Sequence, residues 1–382
     1  MAKSTSDQIV ELRDVAVAPY VYKRPKFRGG IEAPLAPPQG RMRRGANLRD
    51  DPQPIDRGGR RLFGGGDLDR LKGRYLYGGP MWNHFGHFFV DCIHRLWALK
   101  AGGTSYDGIV FLAVQGLLGV RSDADLAAAK PPGFLTDLMR LLDMPDVPVI
   151  MVRAPMLFDR LDVPEAGTAP RQPIAPFYRP YLDGYQAALE DKLALHISRA
   201  PERLYLGRSH LLAKGGVLGS SHLEQTLKAA GAYVSTPEAV GLPVQFGHLL
   251  GAKTVVFDEG SAGHPTQVMS RTPTEYLMFP RRATNEIYGD AISQRAPFAL
   301  LAENDNITVL PDRHGSTSSP GGLAAYRDPG AVWDGLVRRD LVQGAFDMDA
   351  WRAAEAADLI AARSATPEIE SVWRAALESL RG

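Results

Sequence analysis

The chain has 382 residues, 45% of them hydrophobic and 23% charged, with a formal net charge of +1. That length suits two domains of ordinary size, and the balanced composition is that of a globular protein with no global pull toward nucleic acid. The single cysteine, Cys92, excludes an intramolecular disulfide framework and points to a reducing compartment.

Residues 1–14 alternate charge with short apolar stretches and carry no signal-peptide core. The longest apolar stretch, 109–120, is interrupted and too short to span a bilayer. A cytoplasmic location is therefore expected.

The first expected strand covers residues 9–16. A Pro/Gly/Arg-rich loop follows over 24–66 and holds Arg41, Arg43, Arg44, Arg49, Arg57, Arg60 and Arg61. That run reads either as a solvated loop or as a patch that meets anionic lipid or an acidic polysaccharide, a peripheral membrane association without an inserted apolar face. Residues 74–77 read as a strand stopped by Gly78-Gly79-Pro80. From Phe85 to Lys100, apolar residues recur at helical spacing. Then come a buried strand over 108–113, a helix over 132–142 and a strand over 147–152.

Residues 154–180 are proline-rich and aperiodic, which places an inter-domain connection there and divides the chain into 1–176 and 177–382. A second alternation follows. Helices are expected over 181–197, 221–230 and 243–250, with strands over 203–207, 232–235, 254–257, 276–279 and 307–310. The last segment, 331–380, is helical, with Trp333, Trp351 and Trp373 as packing anchors. The alternation predicts an α/β protein with parallel strands, whose ligands lie at the carboxyl ends of those strands.

Three constellations could carry chemistry. In the first, His87 and Asp91 stand four apart in Gly86-His87-Phe88-Phe89-Val90-Asp91 and share a helix face. Either could serve as a general base. Alternatively, Asp91 pairs with Arg95, also four apart, and His87 only caps the helix. A metal reading through His84, His87 and Asp91 needs a further ligand that no His-Glu-x-x-His pattern supplies, so no metal is assigned.

In the second, the strand Leu204-Tyr205-Leu206 ends in Gly207-Arg208, which would put a bidentate guanidinium near a diphosphate, with Lys214 adding a point charge. In the third, a strand opens into Asp258-Glu259-Gly260-Ser261-Ala262-Gly263-His264. Gly260, Ser261 and Ala262 let the backbone approach phosphate, Glu259 could accept from ribose hydroxyls, and His264 could help the phosphate. Glu259 stands where a serine-hydrolase elbow requires glycine, which excludes that motif. Both acidic triplets, Asp67-Leu68-Asp69 and Asp347-Met348-Asp349, are weak metal signals. No Walker loop or G-x-G-x-x-G is present.

Taken in order, these blocks resemble glycosyltransferase family 61, whose bacterial members are called capsular polysaccharide biosynthesis proteins. The resemblance runs over about 70–285 and includes Arg95-Leu96-Trp97, Leu223-Glu224, Gly231, Pro237-Glu238, Gln245 and Arg281-Arg282. Many members carry His before Gly-Ala, where this chain has Glu259. The resemblance implies a GT-B-like fold, two Rossmann-like domains facing each other across a cleft, and an inverting hexosyl- or pentosyltransferase needing no cofactor. Its partners would be a nucleotide-sugar donor and a glycan or lipid-linked glycan acceptor, with no nucleic acid. The alternative is a non-catalytic glycan- or nucleotide-binding protein of the same fold.

Overall fold

The computed structural model describes residues 8–23, 26–32, 68–116, 120–282, 286–312, 315–317, 322–363 and 369–381. The arginine run between Arg41 and Arg61 and the first residue of the Asp67–Asp69 triplet lie outside them. The protein is α/β, and its chain divides into two compact units. One runs up to Lys192 and takes in Gln267–Ser270; the other holds Leu193–Thr266 and everything from Arg271 onward.

The first unit is built on a six-stranded mixed sheet of β1 (Ile9–Lys23), β2 (Lys26–Glu32), β3 (Asp69–Met81), β4 (Gly108–Gln115), β5 (Val149–Val152) and β6 (Met156–Pro164). The order is β2-β1-β6-β3-β4-β5. Neighbours among β3 to β6 pair in parallel, whereas β1 runs antiparallel to β2 and β6. The uniformly parallel layer expected here is thus corrected to a mixed one.

β4 is buried along its whole length, as a continuous apolar run in a two-sided sheet should be. β6 falls inside the stretch expected to be an aperiodic connection. Its polar residues hide the pattern, yet Asp162 is fully buried because Arg74 and the Tyr106 hydroxyl both donate to its Oδ2 (2.8 Å and 2.9 Å). A buried charge paired in this way can sit inside a sheet.

Between β3 and β4 the expected helix splits into α1 (Phe85–Asp91) and a tighter 3-10 segment, Ile93–Lys100. The Arg95 amide turns to the Cys92 carbonyl, because the Arg95 guanidinium itself takes the Asp91 carbonyl that an α-helix would have used. Helices α2 (Asp123–Ala128) and α3 (Phe134–Leu141) link β4 to β5. After β6, α4 (Arg179–Lys192) buries Leu182, Tyr185, Ala188 and Leu189. The division therefore falls after Lys192, later than the expected residue 176. The proline-rich stretch before α4 is tied down by bonds from Gly167 N to His94 O (2.8 Å) and from Trp97 Nε1 to Glu165 O (2.8 Å).

In the second unit, α5 (Ala194–Ser198) leads to a five-stranded sheet of β7 (Arg203–Leu206), β8 (Tyr233–Ser235), β9 (Thr254–Asp258), β10 (Glu275–Phe279) and β11 (Phe298–Leu300). All pairings are parallel, in the order β8-β7-β9-β10-β11. Counted within the unit, this is the doubly wound order 2-1-3-4-5, with the winding direction reversing between β7 and β9. Helices α6 (Ser220–Ala229), α7 (Leu242–Gly251) and α8 (Glu286–Ser293) provide crossovers. The strand expected over 307–310 joins no parallel sheet; β12 (Ile307–Val309) forms an antiparallel pair with β13 (Ala324–Tyr326). Finally α9 (Pro329–Arg338), α10 (Met348–Arg363) and α11 (Glu370–Arg381) bury Trp333, Trp351 and Trp373. Among the described residues, no helix is long and apolar enough to cross a membrane.

Candidate functional site

Chemistry-bearing side chains gather at one place in each unit. In the first, the sharp end of β3 delivers the chain to α1. Gly79 adopts a left-handed φ of +114°, and a Cβ there would stand 2.8 Å from the Asp91 carbonyl oxygen. Glycine is what lets the strand end pass so close to the helix. The helix cap is His84, whose Nδ1 accepts the His87 amide at 3.4 Å.

The His87 imidazole turns the other way, with Nδ1 2.9 Å from Asp91 Oδ2. The carboxylate is an acceptor, so Nδ1 carries the proton and Nε2 keeps its lone pair. Only 5% of the Asp91 side chain is exposed, against 28% for His87. The Trp82 ring stacks on the imidazole at 4.9 Å. Arg95 donates to the main-chain oxygen of Asp91 at 2.5 Å, so the geometry brings His87, not the Arg95 guanidinium, onto the Asp91 carboxylate. Among the described residues, no three His, Cys, Asp or Glu gather as a metal site, and His84 and His87 acquire no further ligand.

Sequence reasoning passed over His94, which is buried between two partners. Its Nε2 lies 2.9 Å from Gln267 Oε1 and its Nδ1 lies 3.2 Å from the Tyr178 hydroxyl. With the amide oxygen as acceptor, Nε2 donates to Gln267, and the Tyr178 hydroxyl holds the other side of the ring.

In the second unit, the site stands where the winding reverses, at the carboxyl ends of β7, β9 and β10. Asp258, the last residue of β9, is buried. It accepts the Arg208 amide at 2.7 Å and the Tyr205 hydroxyl at 3.0 Å. Burial pushes its carboxyl up to about 6, against the opposing pull of these hydrogen bonds. Arg208 lies on Gly260, where a Cβ would be 2.7 Å from Nη1. One terminal nitrogen reaches the Lys214 carbonyl (3.2 Å), while Nε is buried with no hydrogen-bond partner.

Arg281 and Arg282 follow β10. Arg281 Nε donates to the Glu259 carbonyl (2.8 Å) and its amide to Glu259 Oε2 (2.9 Å), while Arg282 Nε donates to Oε1 at 2.6 Å. Burial first, then the charges of Arg282 and Arg208, hold Arg281 down to about 10. Its depression by two neighbouring guanidinium groups marks crowded positive charge, a state that an anion relieves.

The expected roles here divide. Arg208, Gly260, Ser261 and Ala262 come together, with Ser261 and Ala262 half-buried at the start of the 3-10 segment Ser261–Val268. Lys214 contributes its carbonyl, and its side chain is exposed. Glu259 is corrected: it is fully buried and occupied by Arg281 and Arg282, so it has no free oxygen facing a ribose. His264 is buried with its ring 4.8 Å from that of Tyr288. Asp258 and Tyr205 were missed, although strand parity puts both on one face. The Pro237 and Gln245 pattern gains a structural role, since Gln245 Nε2 donates to the Pro237 and Val240 carbonyls (2.7 Å and 2.9 Å).

Searches of protein-family models and of curated proteins return no match to this chain.

Proposed function

We propose that the protein is an inverting glycosyltransferase that moves a hexosyl or pentosyl group from a nucleotide-sugar donor to a glycan acceptor, in the assembly of a surface or capsular polysaccharide. The observation that carries this reading is the gathering of Arg208, which lies on Gly260, with Arg281 and Arg282, which hold Glu259, at the reversal point of a 2-1-3-4-5 parallel sheet. Parallel sheets of this kind bind phosphorylated ligands at that point. Crowded guanidinium groups suit a diphosphate, which accepts several charge-assisted hydrogen bonds at once. The GT-B-like arrangement, with the first unit on the acceptor side and the second on the donor side, is part of the proposal.

In this reaction His87 is the base and Asp91 its positioning residue. Nε2 of His87 takes the proton of the acceptor hydroxyl as that oxygen attacks the anomeric carbon. The bond from that carbon to the diphosphate breaks, and its electron pair leaves with the phosphate oxygen. Arg208 and Arg281 meet the charge that grows there. Asp91 holds the tautomer and stabilises the imidazolium formed, as a buried carboxylate behind a histidine does.

The test incubates the protein with UDP-, GDP- and CDP-sugars and glycan acceptors, and follows release of nucleoside diphosphate. Acceptor-dependent release supports the reading. Ligand-dependent thermal stabilisation without release would instead identify a binding protein of this fold.

A further inference from the structure

Asp258 ends β9, two residues before the Gly260 on which Arg208 lies. Its side chain crosses to β7, where Oδ2 accepts the Arg208 amide at 2.7 Å and Oδ1 the Tyr205 hydroxyl at 3.0 Å. The carboxylate therefore fixes the main chain of the arginine whose side chain borders the anion site. It does so while buried, close to where an anion would bring its negative charge.

The groups that face Asp258 come from several elements. Tyr205 of β7 donates to it, and Arg208 adds positive charge. Glu224 of α6 adds negative charge, its Oε2 being taken by the Ser209 hydroxyl. Tyr326 of β13 feels Asp258 too, with its own hydroxyl donated to the Pro280 carbonyl at 2.9 Å. Beyond β10, Arg281 and Arg282 are engaged by Glu259. Arg281, at about 10, stays charged near neutral pH, whereas burial has carried Asp258 up to about 6.

A proton on Asp258 also has a place to go. The Arg208 amide can only donate, so Oδ2 stays an acceptor. The Tyr205 hydroxyl can turn and accept, so Oδ1 can carry the proton with both hydrogen bonds kept. An arriving dianion repels a carboxylate and favours the neutral acid, so anion and proton help each other to bind. We infer that Asp258 is a positioning residue of the anion site, and that anion binding there is coupled to uptake of a proton from solvent onto its Oδ1. This rests on the donor-site reading above and adds that acid tightens the site's hold on a diphosphate.

Calorimetric titration with sulfate is the test, because sulfate stays a dianion near neutral pH whereas phosphates titrate there. Affinity should rise about tenfold from about pH 8 to about pH 5, the equivalent of about one pH unit in a coupled carboxyl. Titrations at about pH 6.5 in two buffers of different ionisation heat should report about half a proton taken up per sulfate bound. Asp258→Asn, whose amide copies the protonated acid and keeps both hydrogen bonds, should bind sulfate at about pH 8 as tightly as the parent does at about pH 5. Its profile should be flat and its proton uptake nil. A dependence brought by His264, further along the same segment, would survive in that variant. A flat parent profile, or a slope and proton uptake that persist in Asp258→Asn, would overturn the coupling while the arginine site stands. Should that variant not fold, the parent's proton count decides: no uptake overturns the coupling. Failure of both sulfate and pyrophosphate to bind at any pH would overturn the donor-site reading together with it.

Discussion

The two units handle their charged groups in opposite ways. In the first, the site residues satisfy one another: Asp91 takes His87, the His84 ring caps the helix, and Arg95 closes on a main-chain oxygen. In the second, Arg208 lies on Gly260 while Arg281 and Arg282, which feel its charge and each other's, both bond to the adjacent Glu259. A self-satisfied dyad with one exposed nitrogen suits proton transfer, because its geometry is set before substrate arrives. A cluster with surplus positive charge suits binding, because an anion lowers its energy. In the proposed reaction, this contrast gives chemistry to one unit and affinity to the other.

The largest test of that division is His87→Ala. It should cut turnover by about 10²–10⁴-fold, the usual worth of a positioned base, and leave donor affinity unchanged. Asp91→Asn should also act on turnover, because the imidazole loses the acceptor that fixes its tautomer and orientation. Equal losses of turnover and donor binding in either variant would break the assignment.

Arg208→Ala is the mirror experiment. It should weaken nucleotide binding by about 1.5–3 kcal/mol, the value of a charged hydrogen-bonding group, and titration calorimetry reads it directly. Unchanged affinity would remove the cluster from donor binding.

Asp258 sharpens the comparison through pH. Its folded carboxyl lies at about 6, above its ordinary value of 3.8. The folded state therefore holds this proton more tightly than the unfolded chain does. The resulting stability is fully present below about pH 4 and is lost as pH rises through about 6, amounting to at most about 3 kcal/mol. Asp258→Asn should flatten that part of the stability curve in chemical denaturation. Asp258→Ala should destabilise at every pH, because it strands the Tyr205 hydroxyl and the Arg208 amide.

The smallest effect is expected from Gly260→Ala. The added methyl would meet Arg208 Nη1 at 2.7 Å and Cδ at 3.0 Å. The guanidinium can swing aside, so binding should weaken by about 1 kcal/mol with folding intact. No loss would mean that Arg208 need not rest on that backbone.

Much of the fold was legible in the sequence. β4 and β9 are apolar runs bounded by turn residues, and α4, α6 and α7 carry helical periodicity. β6 was not, because alternation fails where Asp162 is buried against Arg74 and Tyr106. At the sites, the four-residue spacing of His87 and Asp91 was readable, yet it served equally for Asp91 and Arg95. Glu259 was visible as an acid near a turn, and nothing local revealed that two arginines beyond β10 would claim it.

By itself the sequence determined many of the strands and helices, β4, β9, α4, α6 and α7 among them, because propensity and hydrophobic period act over a few neighbouring residues. It also determined that His87 and Asp91 share a helix face. Tertiary structure alone decided the 2-1-3-4-5 order, the meeting of Arg208 with residues some seventy positions away, and the partner chosen by each buried carboxylate. Those outcomes turn on which strands pair and on how charge is desolvated between them, and such energies exist only once distant segments share a dry interior.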